Sequence, residues 1–382
     1  MKYNFDQVIN RRNTESVKWN VESHELPMWI ADMDFPVPEE LLEIIEQKLQ
    51  QRIFGYTCLT DEWYQNYQEW WLKRYDVSLE KDWLVFCAGI VPGIASILRA
   101  LGKSEDKVIL LTPVYNAFFY AIENSDHEVV ECPMDYVDHQ YSINFERLEN
   151  ELKKKENHFL IVCNPHNPTG NIWSKEDLEK IYKLANENDV IVISDEIHCD
   201  ITEPGYTYTP YIAIDHKNCI CCVAPTKAFN LAGLKSSCLV IPNEDYRNKI
   251  QAQLNKDSIG SPNAFSIVAT KAYQVGEEWL DEMREYVFDN RAYANEYIQK
   301  EIPLLSTVPS HSTYLLWIDI SKTNLESEAF YTQLRKETGL YLNVGESYGK
   351  MGITFMRLNL ACPRSKLEDG LKRLKEFCET LK

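Results

Sequence analysis

The sequence predicts an α/β protein with a large domain, built on a mainly parallel β-sheet covered by helices, and a smaller α+β domain at the C-terminal end. The length of 382 residues is typical of two domains. Short, continuously apolar runs alternate with helical patterns through the first part of the chain, as expected for strands that are buried on both faces of a parallel sheet. Beyond residue 300 the pattern changes to two strand-like segments and a closing helix.

The elements of the large domain follow from the spacing of apolar residues. An amphipathic helix is predicted from Glu39 to about Gln51, directly after Pro36 and Pro38, because apolar residues recur there at helical spacing. The most distinct of the later helices covers residues 174–188 and has a capping-box-like start. The apolar runs that read as strands lie at residues 83–87, 107–111, 127–132, 158–163, 189–194 and 218–224.

The small domain begins after a long helical stretch at residues 262–300, which Gly276 interrupts. The segments 312–320 and 353–361 then read as strands, and a closing helix runs from about residue 365 to 381. We therefore expect three parts, which are an N-terminal segment over residues 1–49 that packs with the small domain, a large domain over residues 50–280 and a small domain over residues 281–382.

Composition excludes several classes of protein. Forty Lys and Arg against 58 Asp and Glu give a net charge of −18, which argues against general nucleic-acid binding. Eleven cysteines and a polar N-terminus predict reduced thiols in the cytoplasm. No apolar run approaches the roughly 18 to 20 residues that span a membrane. Cys219 and Cys222 form a C-x-x-C inside an apolar run, so we expect buried thiols and no metal site.

Three polar residues follow apolar runs at the edge where parallel sheets bind ligands. Asn167 lies in NPHNPTG, Asp195 follows residues 189–194, and Lys227 follows residues 218–224. A carboxylate at the mouth of a buried strand needs a cation or several hydrogen-bond donors opposite it, and a desolvated lysine can form an imine with a carbonyl compound. Each residue alone also has an ordinary interpretation: Asp195 as a helix N-cap, Lys227 as a surface side chain and Asn167 as a turn residue. Together they indicate a binding crevice.

A possible anion site lies beside that crevice. In CAGIVPGIASILRA, Gly89 forms a turn after the first apolar run and Pro92 stands near the first helical position, which leaves backbone N–H groups free for a phosphate. The same pattern occurs in ordinary strand-to-helix connections. A cofactor with a phosphate, a basic ring nitrogen, a phenolic oxygen and an aldehyde would use this helix together with Asn167, Asp195 and Lys227. The usual dinucleotide and nucleoside-triphosphate fingerprints are absent from the sequence.

Eight motifs, in order along nearly the whole chain, resemble those of fold-type-I pyridoxal-phosphate (PLP) enzymes of the aminotransferase class I/II superfamily. They are most similar to the cystathionine β-lyase (MalY/PatB) subgroup of carbon–sulfur lyases. The combination is specific, whereas any one motif is not. The motifs are MWIADMDFPVP, FGYT, AGIVPG, TPVYNAF, NPHNPTG, SDEIHCDI, APTKAFNLAGLKSS and FMRLNLACPR.

The resemblance implies roles around pyridoxal 5'-phosphate as cofactor. Lys227 would hold the cofactor covalently and move protons, and Asp195 would pair with the pyridine nitrogen. Asn167 would contact the phenolic oxygen, and Tyr115 would stack on the ring. His198 would lie on the oxygen side of the cofactor or act only as a core histidine. The phosphate would be bound by Gly89, Ile90 and Thr226, with help from Lys235. Ala224 stands where aminotransferases commonly have a serine, a departure that fits the lyase subgroup.

The resemblance also implies a substrate site and a partner subunit. Arg357, a charge within a predicted strand, would bind the substrate carboxylate, although a structural ion pair also explains such a position. Ala31 would line the substrate site. Tyr56 would act in catalysis by reaching the phosphate of the neighbouring subunit, which predicts a homodimer with shared active sites.

The activity implied is α,β-elimination. L-Cystathionine or a related S-substituted cysteine would give a thiol, pyruvate and ammonia. An aminotransferase would use the same residues and is the alternative. A regulatory protein that retains the fold without turnover is a third interpretation, which the complete set of Lys227, Asp195, Asn167 and Arg357 argues against.

Overall fold

The computed structural model describes residues 1–381, and its elements follow the predicted order. The strands are β1 (Leu26–Pro27), β2 (Leu84–Cys87), β3 (Lys107–Thr112), β4 (Glu128–Pro133), β5 (Asp135–Val137), β6 (Gln140–Ser142), β7 (Asn157–Cys163), β8 (Ile191–Asp195), β9 (Ile220–Val223), β10 (Ser237–Val240), β11 (Ser306–Thr307), β12 (Leu315–Asp319), β13 (Leu340–Tyr341), β14 (Asn343–Val344) and β15 (Phe355–Asn359). The helices are α1 (Glu39–Gln50), α2 (Asp61–Tyr75), α3 (Ile90–Leu101), α4 (Ala117–Glu123), α5 (Phe145–Leu152), α6 (Lys175–Glu187), α7 (Glu244–Lys256), α8 (Ala264–Ala269), α9 (Ala272–Val275), α10 (Glu277–Glu301), α11 (Ser327–Thr338) and α12 (Arg364–Thr380).

A seven-stranded sheet with the order β2-β10-β9-β8-β7-β3-β4 forms the centre of the molecule. Its strands are parallel except β10, which pairs antiparallel with both β2 and β9. The predicted mainly parallel sheet is therefore confirmed. Within this sheet, β10 is the strand that the sequence pattern did not predict. It is only four residues long and begins with the polar Ser237, so it does not stand out as an apolar run.

Helices cover both faces of this sheet. Successive strand residues point to opposite sides, so the apolar strands present an apolar surface on each face. On one face, Ile94 and Leu98 of α3 pack with Leu110 of β3. On the other face, the aromatic residues Trp63 and Trp71 of α2 belong to a second, larger core. This two-sided burial explains why the strands are continuously apolar.

A four-stranded antiparallel sheet, ordered β11-β12-β15-β14, lies in the C-terminal part of the chain. The N-terminal segment reaches this part, since β1 pairs parallel with β13 through Leu26 and Leu340. The predicted boundary at residues 280 and 281 falls inside helix α10. The limits of the three predicted parts remain a prediction.

The predicted helical stretch at residues 262–300 consists of the three helices α8, α9 and α10. Gly276 separates the last two, and a Cβ atom at this position would lie 2.6 Å from the ring of Phe229.

The apolar face of helix α1 is only partly covered in the single chain, because Leu41 is buried but Leu49 is 48% exposed. Within the described residues, no helix is both long enough and apolar enough to cross a membrane.

Candidate active site

A pocket with about 740 Å³ of empty space opens at the carboxyl edge of the central sheet. It opens into a wider cleft that is lined by Trp29, Asn343 and Arg357. The predicted residues that line the pocket itself are Ala31, Gly89, Ile90, Tyr115, Asn167, Asp195, His198, Thr226, Lys227 and Lys235.

Neighbouring strand ends bring the three key polar residues together. In the sheet register Cys163, the last residue of β7, is opposite Asp195, the last residue of β8. Asn167 follows β7 by four residues, and Lys227 follows β9 by the same distance. Because β7, β8 and β9 are parallel neighbours, their following loops meet at one edge.

Asp195 is a buried carboxylate in the wall of the pocket, with 3% of its surface exposed. Its Oδ1 accepts a hydrogen bond from the backbone N–H of Ile197 at 3.1 Å. Burial raises the pKa of Asp195 to about 7, although the Ile197 N–H and the Lys227 cation act in the opposite direction. A cation placed in the pocket would stabilise the ionised form, and the protonated ring nitrogen of pyridoxal phosphate is such a cation.

The amine of Lys227 donates a hydrogen bond to the carbonyl oxygen of Ala31 at 2.6 Å. Burial lowers the pKa of Lys227 to about 8, and the Arg357 cation lowers it further, while Asp32 and Asp195 oppose the shift. A lysine with this pKa presents some neutral amine at neutral pH. Neutral amine is the form that attacks an aldehyde, so the side chain suits covalent attachment of a carbonyl cofactor.

Arg357, in β15, is 2% exposed and points its guanidinium toward the pocket's edge. Its Nη1 donates to Oδ1 of Asn167 at 3.0 Å and its Nη2 to the carbonyl oxygen of Trp29 at 2.9 Å. The guanidinium carbon lies 5.0 Å from the centre of the Tyr348 ring. Among residues 1–381, no carboxylate forms an ion pair with Arg357, so the alternative of a structural ion pair does not hold. A substrate carboxylate would supply that missing partner.

The pocket also has the donors that a phosphate requires. Helix α3 begins at Ile90, and its N-cap Gly89 contributes no capping side chain. Thr226 and Lys235 line the same pocket as Gly89 and Ile90. Ser236 is also there, and its buried Oγ has no hydrogen-bond partner in the described part of the chain. An unused hydroxyl, a lysine and a helix N-terminus together fit a phosphate dianion.

His198 and Tyr115 form further parts of the pocket wall. His198 is 3% exposed, and its Nδ1 lacks a hydrogen-bond partner among the described residues. Burial lowers the pKa of His198 well below its usual value, and the cations of Lys227 and Arg357 add to this effect. The imidazole is therefore neutral, a state that suits a wall residue beside a cofactor oxygen as well as a core position.

Residues 28–35, which we call the N-terminal strap, pass along the same cleft. Side chains of other elements hold its carbonyl oxygens. Ala31 O accepts from Lys227 and, at 3.1 Å, from the hydroxyl of Tyr314. The remaining contacts are Arg357 to Trp29 O, Asn359 to Ile30 O and Asp32 O, and Asn230 to Met33 O and Phe35 O.

Tyr56 is the predicted residue that the single chain leaves away from the pocket. It is fully exposed, in the segment between α1 and α2. Three residues that were not predicted also line or contact the site, namely Ser236, Cys163 and Tyr314. Ser236 directly follows Lys235 in the motif APTKAFNLAGLKSS, so the sequence could have indicated that it lies near the phosphate donors. Tyr314 gives no local signal, because only the packing of the strap explains its contact.

The chain matches the family model for aminotransferase class I and II over residues 30–374. It is 35% identical over 382 residues to cystathionine beta-lyase PatB of Bacillus subtilis (strain 168), covering 97% of this chain and 99% of that protein. Among solved structures, cystalysin from Treponema denticola, which contains a pyridoxal 5'-phosphate cofactor, is 32% identical with a TM-score of 0.96 and full coverage of both chains. The PLP-bound C-S lyase from Staphylococcus hominis is 33% identical with a TM-score of 0.92, covering 99% of this chain and 98% of that one.

These full-length similarities agree with the chemistry of the pocket. The cofactor of this family requires a lysine whose pKa is lowered toward neutrality, a buried carboxylate and a group of hydrogen-bond donors for its phosphate. The chain therefore belongs to the aminotransferase class I and II family, and its cofactor is pyridoxal 5'-phosphate.

Proposed function

We propose that the protein is a carbon–sulfur β-lyase of the cystathionine β-lyase type, which converts L-cystathionine or related S-substituted cysteines to a thiol, pyruvate and ammonia. The observation that carries this proposal is the position of Lys227. Its side chain lines one pocket together with Asp195, and it also lines the adjoining cleft together with Arg357. Full-length similarity to a cystathionine β-lyase and to two C-S lyase relatives supports elimination as the reaction.

Each residue of the pocket is assigned a role on this proposal. Arg357 binds the substrate carboxylate through its planar guanidinium, and Tyr348 supports the guanidinium from one face. Asp195 would stabilise a positive charge on the ring nitrogen of the cofactor. Asn167, which is bonded to Arg357, would contact the phenolic oxygen. Tyr115 would stack on the ring, and Gly89, Ile90, Thr226, Lys235 and Ser236 would bind the phosphate.

Lys227 performs the proton transfer. When bound, pyridoxal phosphate accepts the electron pair that the substrate α-carbon releases. The amine of Lys227 removes the α-proton and holds it within the pocket. Loss of the β-thiolate follows, and hydrolysis of the remaining three-carbon fragment gives pyruvate and ammonia. The wider cleft beside the pocket offers room for the sulfur substituent.

The assembly proposed is a homodimer in which Tyr56 completes the partner's site. The support is an exposed apolar segment, since Ile53 is 79% exposed and Phe54 is 60% exposed beside the fully exposed Tyr56. Exposed apolar clusters of this kind are typical of subunit contacts. A reducing compartment such as the cytoplasm is proposed from the free cysteines, of which all but Cys58 are buried.

The test is turnover of L-cystathionine by the purified protein with no 2-oxo acid added. We expect continuous release of homocysteine thiol and pyruvate in equal amounts, because elimination needs no amino-group acceptor. Alanine should not react at a comparable rate, because it has no β-leaving group. If thiol release is absent, and alanine or an aromatic amino acid instead supports rapid transfer that depends on a 2-oxo acid, the aminotransferase alternative replaces this proposal. Lys227→Ala serves as the control for reactions without the active site.

A further inference from the structure

Two acidic residues of the MWIADMDFPVP motif belong to a buried group of charges that the proposed reaction does not use. We call it the N-terminal ion cluster, and its members are Arg11, Lys18, Asp32, Asp34 and Lys366. Lys18 is 1% exposed and Asp34 is 2% exposed. Burying ions is costly unless their partners are well placed, so a cluster of this kind fixes the backbone around it.

Lys18 lies at the centre of the cluster. Its Nζ is 3.2 Å from the carbonyl oxygen of Asp32, 3.6 Å from Oδ1 of Asp32 and 3.4 Å from Oδ1 of Asp34. Burial acts to raise the pKa of Asp34, but the cations of Lys18, Lys366 and Arg11 outweigh it and the pKa is lowered. The Asp34 carboxylate is therefore ionised, and both carboxylates lie within ion-pair distance of Lys18.

Arg11 closes the other side of the same two carboxylates. It donates to Oδ2 of Asp32 and to Oδ1 of Asp34, each at 2.9 Å, and to the carbonyl oxygen of Met33 at 3.0 Å. Lys366 of α12 adds a contact of 3.4 Å to Oδ2 of Asp34. The N-terminal strap has no helix or long strand of its own in this region, so these contacts fix its path.

The cluster adjoins the atom that holds the catalytic lysine. Ala31 directly precedes Asp32, and its carbonyl oxygen accepts the hydrogen bond from the amine of Lys227 at 2.6 Å. We propose that Lys18 is a positioning residue: by fixing Asp32, it holds the Ala31 carbonyl oxygen where it receives the amine of Lys227 whenever that amine is free. This inference rests on the proposed function, in which the amine is released and recaptured in every turnover.

A fixed acceptor matters because the free lysine side chain has many rotamers. Confining it near the α-carbon lowers the entropy that proton transfer must lose. The cluster also acts through charge. The charged groups that face the Lys227 amine are Asp32, Asp195 and Arg357. His198 also faces it but is neutral. Lys18 partly neutralises Asp32, so its removal would favour the protonated amine.

The first measurement uses cofactor-free protein and does not depend on turnover. Added pyridoxal phosphate is captured covalently by Lys227, and the absorbance change gives the rate at each pH. Only neutral amine reacts, so the rate should rise through the amine's pKa. In Lys18→Met we expect the midpoint of this rise to move upward by about 0.5 to 1 pH unit, because a nearby cation is lost. Lys18→Arg retains the cation and should restore the midpoint.

The second measurement tests position with α-deuterated substrate. In Lys18→Met we expect kcat to fall about tenfold with little change in KM, since a misplaced amine slows proton transfer more than binding. The deuterium isotope effect on kcat should increase, because proton transfer then limits the rate. If the variant only contained less folded protein, the apparent kcat would fall, but the isotope effect and the midpoint of the capture profile would not change.

Glu25→Gln is the matched control. It breaks the ion pair of Glu25 with Arg335, which fastens the same N-terminal segment but lies outside the cluster. We expect its capture midpoint and isotope effect to equal those of the wild type. If Lys18→Met does not fold, Arg11→Gln at the partly exposed side of the cluster is measured in its place.

Wild-type values in the folded Lys18 or Arg11 variant would overturn the inference, and so would an equal shift in Glu25→Gln. The two proposals fail separately. A protein without lyase turnover would overturn the proposed function, while the capture profile would still decide the role of Lys18.

Discussion

The carboxyl edge of the central sheet and the segment between α1 and α2 represent two ways of supplying residues to a site. The sheet edge holds Asp195 in a buried position and Lys227 in a half-buried one, after the ends of neighbouring parallel strands. The α1–α2 segment carries Tyr56 into solvent with its ring fully exposed. On the proposed assembly, the first region lies within one chain, whereas the second acts in the site of a partner chain. The comparison separates residues that one chain brings together from a residue that assembly would add.

The largest effect should come from the sheet edge. Lys227→Ala should reduce β-lyase activity by at least about 1000-fold, because both covalent attachment and proton transfer depend on its amine. The absorbance of the covalently bound cofactor should also disappear. Activity and absorbance spectra of purified protein measure both. Turnover near the wild-type rate would show that the pocket has been assigned to the wrong chemistry.

Asp195→Asn should have the next largest effect. The amide keeps the size of the side chain but removes the charge that stabilises a protonated ring nitrogen, so we expect kcat to fall about 100-fold or more. Cofactor should still bind, because Lys227 and the phosphate donors are intact. Steady-state kinetics and cofactor titration distinguish the two quantities. Undiminished kcat in a fully loaded variant would contradict the role of Asp195.

A hybrid dimer tests the contrast between the two regions directly. Tyr56→Phe and Lys227→Ala should each be inactive, but after unfolding and refolding together they should recover about a quarter of wild-type activity. Half of the dimers would be hybrids, each with one site that has both native residues. Hybrid formation is checked by ion exchange of differently tagged subunits. Hybrids that stay inactive would count against a shared site.

The smallest expected effect on the folded chain lies in the exposed segment. Phe54 is 60% exposed, so Phe54→Ser should change the free energy of unfolding of the subunit by less than about 0.5 kcal/mol. The same change should weaken the dimer, because it removes an aromatic side chain from the proposed contact. Sedimentation over a range of concentrations measures this. A dimer of unchanged strength would place the subunit contact elsewhere.

The sequence predicted the sheet edge well because its signals are local. Asp195 directly follows an apolar run, and Asn167 and Lys227 come a few residues after the ends of two others. The rule for parallel sheets places such residues together. Their positions in one pocket agree with this expectation, while their roles stay predictions. The class of fold was confirmed for the same reason.

Features that depend on distant contacts were not predictable in this way. Lys18 is buried beside Asp32 and Asp34, and no pattern near Lys18 in the sequence shows that these ion pairs form. Strand β10 is short and is held by two neighbours that are distant in sequence. The exposure of Leu49 has a similar origin, because helical spacing shows that a face is apolar but does not show what covers it.

The pairing of β1 with β13 also bears on the order of events during synthesis. Leu26 leaves the ribosome long before its partner Leu340. The strands of the central sheet, from β2 to β10, are all available before then. The central sheet can therefore form while β1 still lacks its partner. Lys227 and Asn230 can already hold the N-terminal strap at that stage. Its contacts with Tyr314, Arg357 and Asn359 form only after the later part of the chain has been made, so the strap is fastened in two stages.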